Sequence, residues 1–129
     1  MFRRARSQRD AVADALPAPV FDIDDSSFSS DTADGYTIVD FWAPWCGPCR
    51  SFHPVFDDVA RDFEHESVRF ARCDVDASPE SAALLQILSI PTVVVFGPDG
   101  SETARIVGVP QRSAVEHLAR EAITAAQHA

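Results

Sequence analysis

Val39-Asp40-Phe41-Trp42-Ala43-Pro44-Trp45-Cys46-Gly47-Pro48-Cys49-Arg50 is the stretch that decides how this chain is read. It opens as an apolar strand, breaks at two prolines and a glycine, and enters an amphipathic segment at the cysteines. Two thiols with two residues between them, placed where a helix begins, can join and part as a pair and so carry two electrons. A disulfide needs Cα atoms roughly 4.4–6.8 Å apart. Positions i and i+3 on a first helical turn meet that need, because the chain has gone nearly once around the axis. The helix start also offers unpaired N–H groups and the positive end of the peptide dipoles, which favour thiolate over thiol. Cys46 lies nearer the mouth of that field and is the expected attacking sulfur. Cys49, one turn in, stays covered and closes the ring. Pro48 takes a first-turn position where its missing N–H costs nothing. The other use of such a pair is half of a zinc site. Zinc, however, asks for a second pair or regularly spaced histidines, and Cys73 stands alone on another segment. No metal and no bound cofactor is expected.

Working outward, residues 18–23 alternate apolar and polar side chains and read as a short edge strand. Residues 24–35 are rich in Ser and Asp, with Phe28 their only large apolar residue, and hold a helical turn at most. Residues 36–42 form a buried central strand. Phe52, Val55, Phe56, Val59 and Phe63 recur at spacings of three and four across residues 47–66, the stripe of an amphipathic helix, which Pro54 should kink. A strand follows at 68–75. Ser78, Pro79 and Glu80 start a helix that runs to about Leu88. Pro91 opens a β-branched strand at 92–96, Gly97-Pro98-Asp99-Gly100 marks a hairpin, and 102–107 returns. A last helix covers about 112–126, with Val115, Leu118, Ala119, Ala122 and Ile123 inward. Alternating elements ending in a hairpin predict one α/β domain, a central mixed β-sheet flanked by helices on both faces.

The chain has 129 residues, 46% of them apolar, enough for one buried core. Every basic residue is an arginine. Four of the eleven (Arg3, Arg4, Arg6, Arg9) precede the first acidic residue, leaving seven against all twenty carboxylates from Asp10 onward. Such a surface does not hold nucleic acid by neutralising phosphates. Residues 1–17 read as an arginine-rich, flexible tail ahead of a domain at 18–129. The tail lacks the sustained apolar core of a secretory signal, and no run approaches a membrane span. Three cysteines leave no framework of structural bridges, which fits a reducing, cytoplasmic compartment.

With these segments in place, Trp45-Cys46-Gly47-Pro48-Cys49 after Val39-Asp40-Phe41-Trp42 resembles the thioredoxin family. Ile90-Pro91-Thr92 resembles that family's cis-proline segment, and Val107-Gly108 its second glycine loop. The likeness covers about residues 18–127. It implies a thioredoxin fold and a monomeric protein-disulfide reductase, recycled by a thioredoxin reductase and acting on disulfide-containing proteins. In that reading Cys46 is the nucleophile and Cys49 the resolving thiol. Trp45, Gly47, Pro48, Ile90, Pro91, Gly108 and Val109 make the flat apolar patch that substrate proteins touch. Asp40 becomes a proton relay to Cys49. Burial independently argues that its pKa rises, since a carboxylate inside an apolar strand is costly to ionise. Arg72 stands where many family members carry a lysine, and arginine cannot give up a proton. His53, one turn beyond Cys49, reads as a packed or solvated histidine, with a proton or metal partner as the alternative. Cys73 reads as a small buried hydrophobe.

Overall fold

Seven residues rich in β-branched and aromatic side chains, Tyr36–Trp42, form strand β2 at the centre of a five-stranded sheet in a computed structural model that describes residues 18–128. The arginine-rich tail expected at 1–17 lies outside the described residues. The other strands are β1 (Val20–Ile23), β3 (Val68–Asp74), β4 (Thr92–Phe96) and β5 (Glu102–Val107), and the helices are α1 (Phe28–Asp31), α2 (Gly47–Asp62), α3 (Pro79–Leu84) and α4 (Arg112–Gln127). The sheet order is β1-β3-β2-β4-β5. β1 and β2 run parallel to β3, whereas β4 runs antiparallel to both β2 and β5, so the sheet is mixed as expected.

The two-residue period of β2 divides its side chains between two cores. Ile38 packs with Phe52, Phe56 and Val59 of α2 and Val115, Leu118 and Ala119 of α4. Val39 and Phe41 face the other way, with Ala71, Cys73, Val94 and Phe96 and, beside them, Phe28 of α1 and Leu85 just past α3. Helices therefore cover both faces. Phe56, wholly buried between β3 and the rest of α2, stands for the scale of these contacts: truncating such a side chain to alanine costs about 3–5 kcal/mol.

Two expectations need correction. The third helix does not reach Leu88 but stops at Leu84. Its last carbonyls are closed by Gln86 N–H to Ala83 O (3.1 Å) and Ile87 N–H to Ala82 O (2.9 Å). These are the two bonds of a Schellman motif, made here with Gln86 rather than glycine at positive φ (55°). Ser78 does stand at the N-cap, but its hydroxyl makes no capping bond. The carboxylate of Asp25 reaches across to take the N–H groups of Glu80 (3.1 Å) and Ser81 (2.8 Å). The second helix, for its part, ends at Asp62 and continues as one element through Pro54, which removes a single N–H from the ladder without ending it.

Four of the connections gathered at one end of the sheet bear on the site. The C-terminal ends of β2, β3 and β5 and the N-terminal end of β4 lie together there, through the pairs Trp42↔Asp74, Phe41↔Thr92 and Thr92↔Val107. Residues 43–46, 75–78, 86–91 and 108–111 therefore share one edge, and the cysteines open α2 on it.

Candidate active site

Cys46 is the N-cap of α2, with extended backbone (φ −87°, ψ 106°), and its sulfur accepts the N–H of Cys49 at 3.2 Å. The sequence explains this bond. Of the first N–H groups of α2, that of the second position is removed by Pro48, so the next one, on Cys49, becomes the capping donor. Cys46 and Cys49 are joined as a disulfide with Cα atoms 5.3 Å apart, within the range such a bond needs. Cys46 is 6% exposed and Cys49 wholly buried, so of the two residues only Cys46 reaches the surface.

Trp45 lies beside them, 68% exposed, its indole Nε1 donating to Asp76 Oδ2 at 2.7 Å. That bond ties the loop after β2 to the loop after β3. Pro48 is exposed and Gly47 half-buried. The Ile90–Pro91 peptide is cis. Gly108, at φ +91°, donates its N–H to Pro91 O at 2.9 Å, which seats the loop after β5 against the proline. Val109 is 56% exposed beyond it, and Ile90 is half-buried. The residues read from the sequence as a docking patch thus share one end of the sheet, on the first turn of α2 and three neighbouring loops, with Pro91 itself buried.

Asp40 lies beneath α2. It is fully buried, on the same side of β2 as Ile38, and pairs in register with Arg72 of β3. Its Oδ2 is 3.5 Å from Arg72 Nε and 3.8 Å from His53 Nε2, while Oδ1 has no hydrogen-bond partner. Arg72 makes its tighter bond to Asp57 Oδ1 (2.6 Å). Burial pushes the Asp40 carboxyl up to about 7. Arg72 pulls it down and Asp57 adds a smaller push, so burial wins. Burial, then the Arg72 charge, presses His53 down to about 4, and the imidazole is neutral near pH 7.

Three partners were not read from the sequence: Asp57 on Arg72, Asp76 on Trp45, and His53 on Asp40. A signal for two of them exists. Cys49, His53 and Asp57 are spaced four apart on α2, which makes a polar stripe beside the apolar one. Cys73 is fully buried, with its thiol pushed up to about 11 chiefly by burial. Among the described residues, no group of three or more His, Cys, Asp or Glu side chains is placed to hold a metal ion.

A dithiol pair that opens a helix on a mixed sheet, with a cis proline on the same edge, defines a thiol–disulfide exchange protein. Comparison with known proteins narrows this. The sequence model of the thioredoxin family matches residues 19–121. A thioredoxin of Staphylococcus aureus (strain Mu50 / ATCC 700699) is 39% identical over 97 residues, covering 74% of this chain and 91% of the relative. A thioredoxin of Staphylococcus saprophyticus subsp. saprophyticus is 40% identical over 86 residues, 67% of this chain and 81% of the relative. The chain belongs to the thioredoxin family, and its fold is the thioredoxin fold. It is a protein thiol–disulfide oxidoreductase: the dithiol form of Cys46 and Cys49 gives two electrons to a protein disulfide, and the Cys46–Cys49 bond is the product.

Proposed function

We propose the following division of labour for protein-disulfide reduction. The Cys46 thiolate attacks one sulfur of the substrate disulfide. A mixed disulfide forms, and the first substrate sulfur leaves as a thiolate that takes a proton from water. Cys49 then loses its proton to Asp40 and attacks the Cys46 sulfur. The second substrate sulfur departs in the same way, and the Cys46–Cys49 bond closes. Trp45, Gly47, Pro48, Ile90, Pro91, Gly108 and Val109 receive the substrate protein. The single observation that carries this order is the Cys49 N–H directed at Cys46 Sγ, because a donor at a helix start stabilises the anion of that sulfur and not of the other.

A thioredoxin reductase returns the pair to the dithiol form, and the protein works as a monomer in the cytoplasm. The paucity of cysteine supports a reducing compartment. Among the described residues no helix is long and apolar enough to cross a membrane.

Replacing Cys49 with serine tests the order of attack. The variant is expected to hold substrate proteins as mixed disulfides on Cys46, whereas Cys46→Ser holds none. Trapping on Cys49 instead, or no trapping in either variant, overturns the assignment.

A further inference from the structure

His53 has no place in the steps above, yet it faces Asp40 and is itself partly exposed. Its Nε2 is buried, has no hydrogen-bond partner, and faces Asp40 Oδ2 across 3.8 Å. The rest of its side chain is 20% exposed, and the ring leans edge-on against Trp42 at 4.6 Å between centroids. Asp40 itself is wholly shut off from solvent, and its other oxygen is equally unpartnered. The remaining charged groups around the pair are Arg72 of β3 and Asp57 of α2, bound to each other at 2.6 Å. Neither serves as an exit. Arginine keeps its protons, and Asp57 is held by that same arginine.

Asp40 accepts the Cys49 proton only when ionised. With its carboxyl pushed up to about 7 by burial, it must first shed the proton it carries in part of the reduced molecules. The proton it then takes goes to water or returns to Cys49 when the disulfide is reduced again. A neutral imidazole accepts at one ring nitrogen and donates at the other, and so can pass a proton through its ring. The 3.8 Å gap exceeds a hydrogen bond, and a shift of about 1 Å closes it. We propose that His53 is a positioning residue that connects Asp40 to solvent, taking at Nε2 the proton Asp40 carries and releasing it to water from the outer side of the ring. The proton moves in two steps, with no electron transferred: Asp40 carboxyl to His53, and imidazolium to water. The carboxylate left behind then takes the proton of the Cys49 thiol. The imidazolium is the least stable of these states, since burial and Arg72 both disfavour it, so it passes the proton on rather than storing it. This inference rests on the reading of Asp40 as the acceptor of the Cys49 proton.

The test uses 5,5′-dithiobis(2-nitrobenzoate) in single turnover with the reduced full chain at about pH 6. There Asp40 starts protonated and must shed that proton before it can accept the one from Cys49, so that release of the second thionitrobenzoate by Cys49 reports the path. His53→Ala is expected to slow that release by at least about tenfold, less than removing a group in direct contact with the reacting thiol. Added imidazole is expected to restore it. His53→Phe keeps a ring against Trp42 and fills the space, so it should be slow and refractory to imidazole. Asp40→Asn should be slow with or without His53. A fast His53→Phe, or a slow His53→Ala that ignores imidazole, overturns the inference while a slow Asp40→Asn leaves the Asp40 reading standing. A wild-type rate in Asp40→Asn overturns both.

Discussion

Asp40 and Arg72 sit in register on neighbouring strands, yet their 3.5 Å contact is the looser of the two that Arg72 makes. The guanidinium turns its terminal nitrogen to Asp57 at 2.6 Å and leaves Asp40 with a side-on charge. Arg72 thus moderates the buried carboxyl without neutralising it. Removing that charge in Arg72→Gln is expected to move Asp40 above its value of about 7, and to move His53 up from about 4, because the cation lowers both. Titration of both side chains by NMR reads the result; an Asp40 that stays put or falls would contradict it.

The same burial links stability to pH. The folded-state pKa of Asp40 is raised from 3.8 to about 7, so between those values the native protein holds a proton that the unfolded chain has released. Stability from this group is complete below about pH 4, falls as pH rises through about 7, and levels off above, a loss of up to about 4 kcal/mol. Asp40→Asn escapes the penalty. Its denaturation midpoint should exceed that of the parent at about pH 8 and converge with it near about pH 4. A constant difference across that range would show that ionisation of Asp40 is not its source.

Trp45 is an exposed indole fixed by a single hydrogen bond to Asp76. Asp76→Ala should leave global stability within about 0.5 kcal/mol, since an exposed contact of this kind stabilises little. It should instead loosen the indole, lowering its fluorescence anisotropy and raising KM for insulin reduction several-fold at near-constant kcat. A fall in kcat with unchanged KM would place Asp76 in the chemical step rather than in docking.

Much of this was legible in the sequence because periodicity and punctuation carry it. The nearly unbroken apolar run of Tyr36–Trp42, the stripe from Phe52 to Val59 and the hairpin at 97–100 each state their own geometry. Asp40 announced itself as a carboxyl inside an apolar strand. What escaped depends on residues far apart in the chain. Asp25 caps α3 from 55 residues away, and Asp76 holds Trp45 across 31. Nothing local marks either partner. The end of α3 escaped for another reason, since glycine is the usual marker of a Schellman ending and Gln86 carries none.

Cys73 packs in the core against Ile23 and Phe41 with its thiol pushed up to about 11, so it stays protonated and covered. In reduced native protein, iodoacetamide at neutral pH should modify Cys46 and leave Cys73 untouched until denaturant is added. Mass spectrometry of the labelled peptides distinguishes the two. Labelling of Cys73 in the native state would mean that the sheet opens on that face.

Gln86 holds positive φ at the end of α3, where its N–H and that of Ile87 close the helix. A side chain in this conformation clashes with its own carbonyl, a cost of about 1–2 kcal/mol that glycine avoids. Glycine also adds freedom to the unfolded chain, which returns part of that gain. The net expectation for Gln86→Gly is stabilisation by about 0.5–1 kcal/mol. Gln86 also offers its backbone carbonyl to Arg105 of β5 at 3.2 Å, and Leu85 does so at 2.7 Å. Both bonds survive the change, because they use main-chain oxygens. Equilibrium urea denaturation should therefore show a higher midpoint with an unchanged slope. A lower midpoint would mean that the glutamine side chain contributes more than its backbone conformation costs.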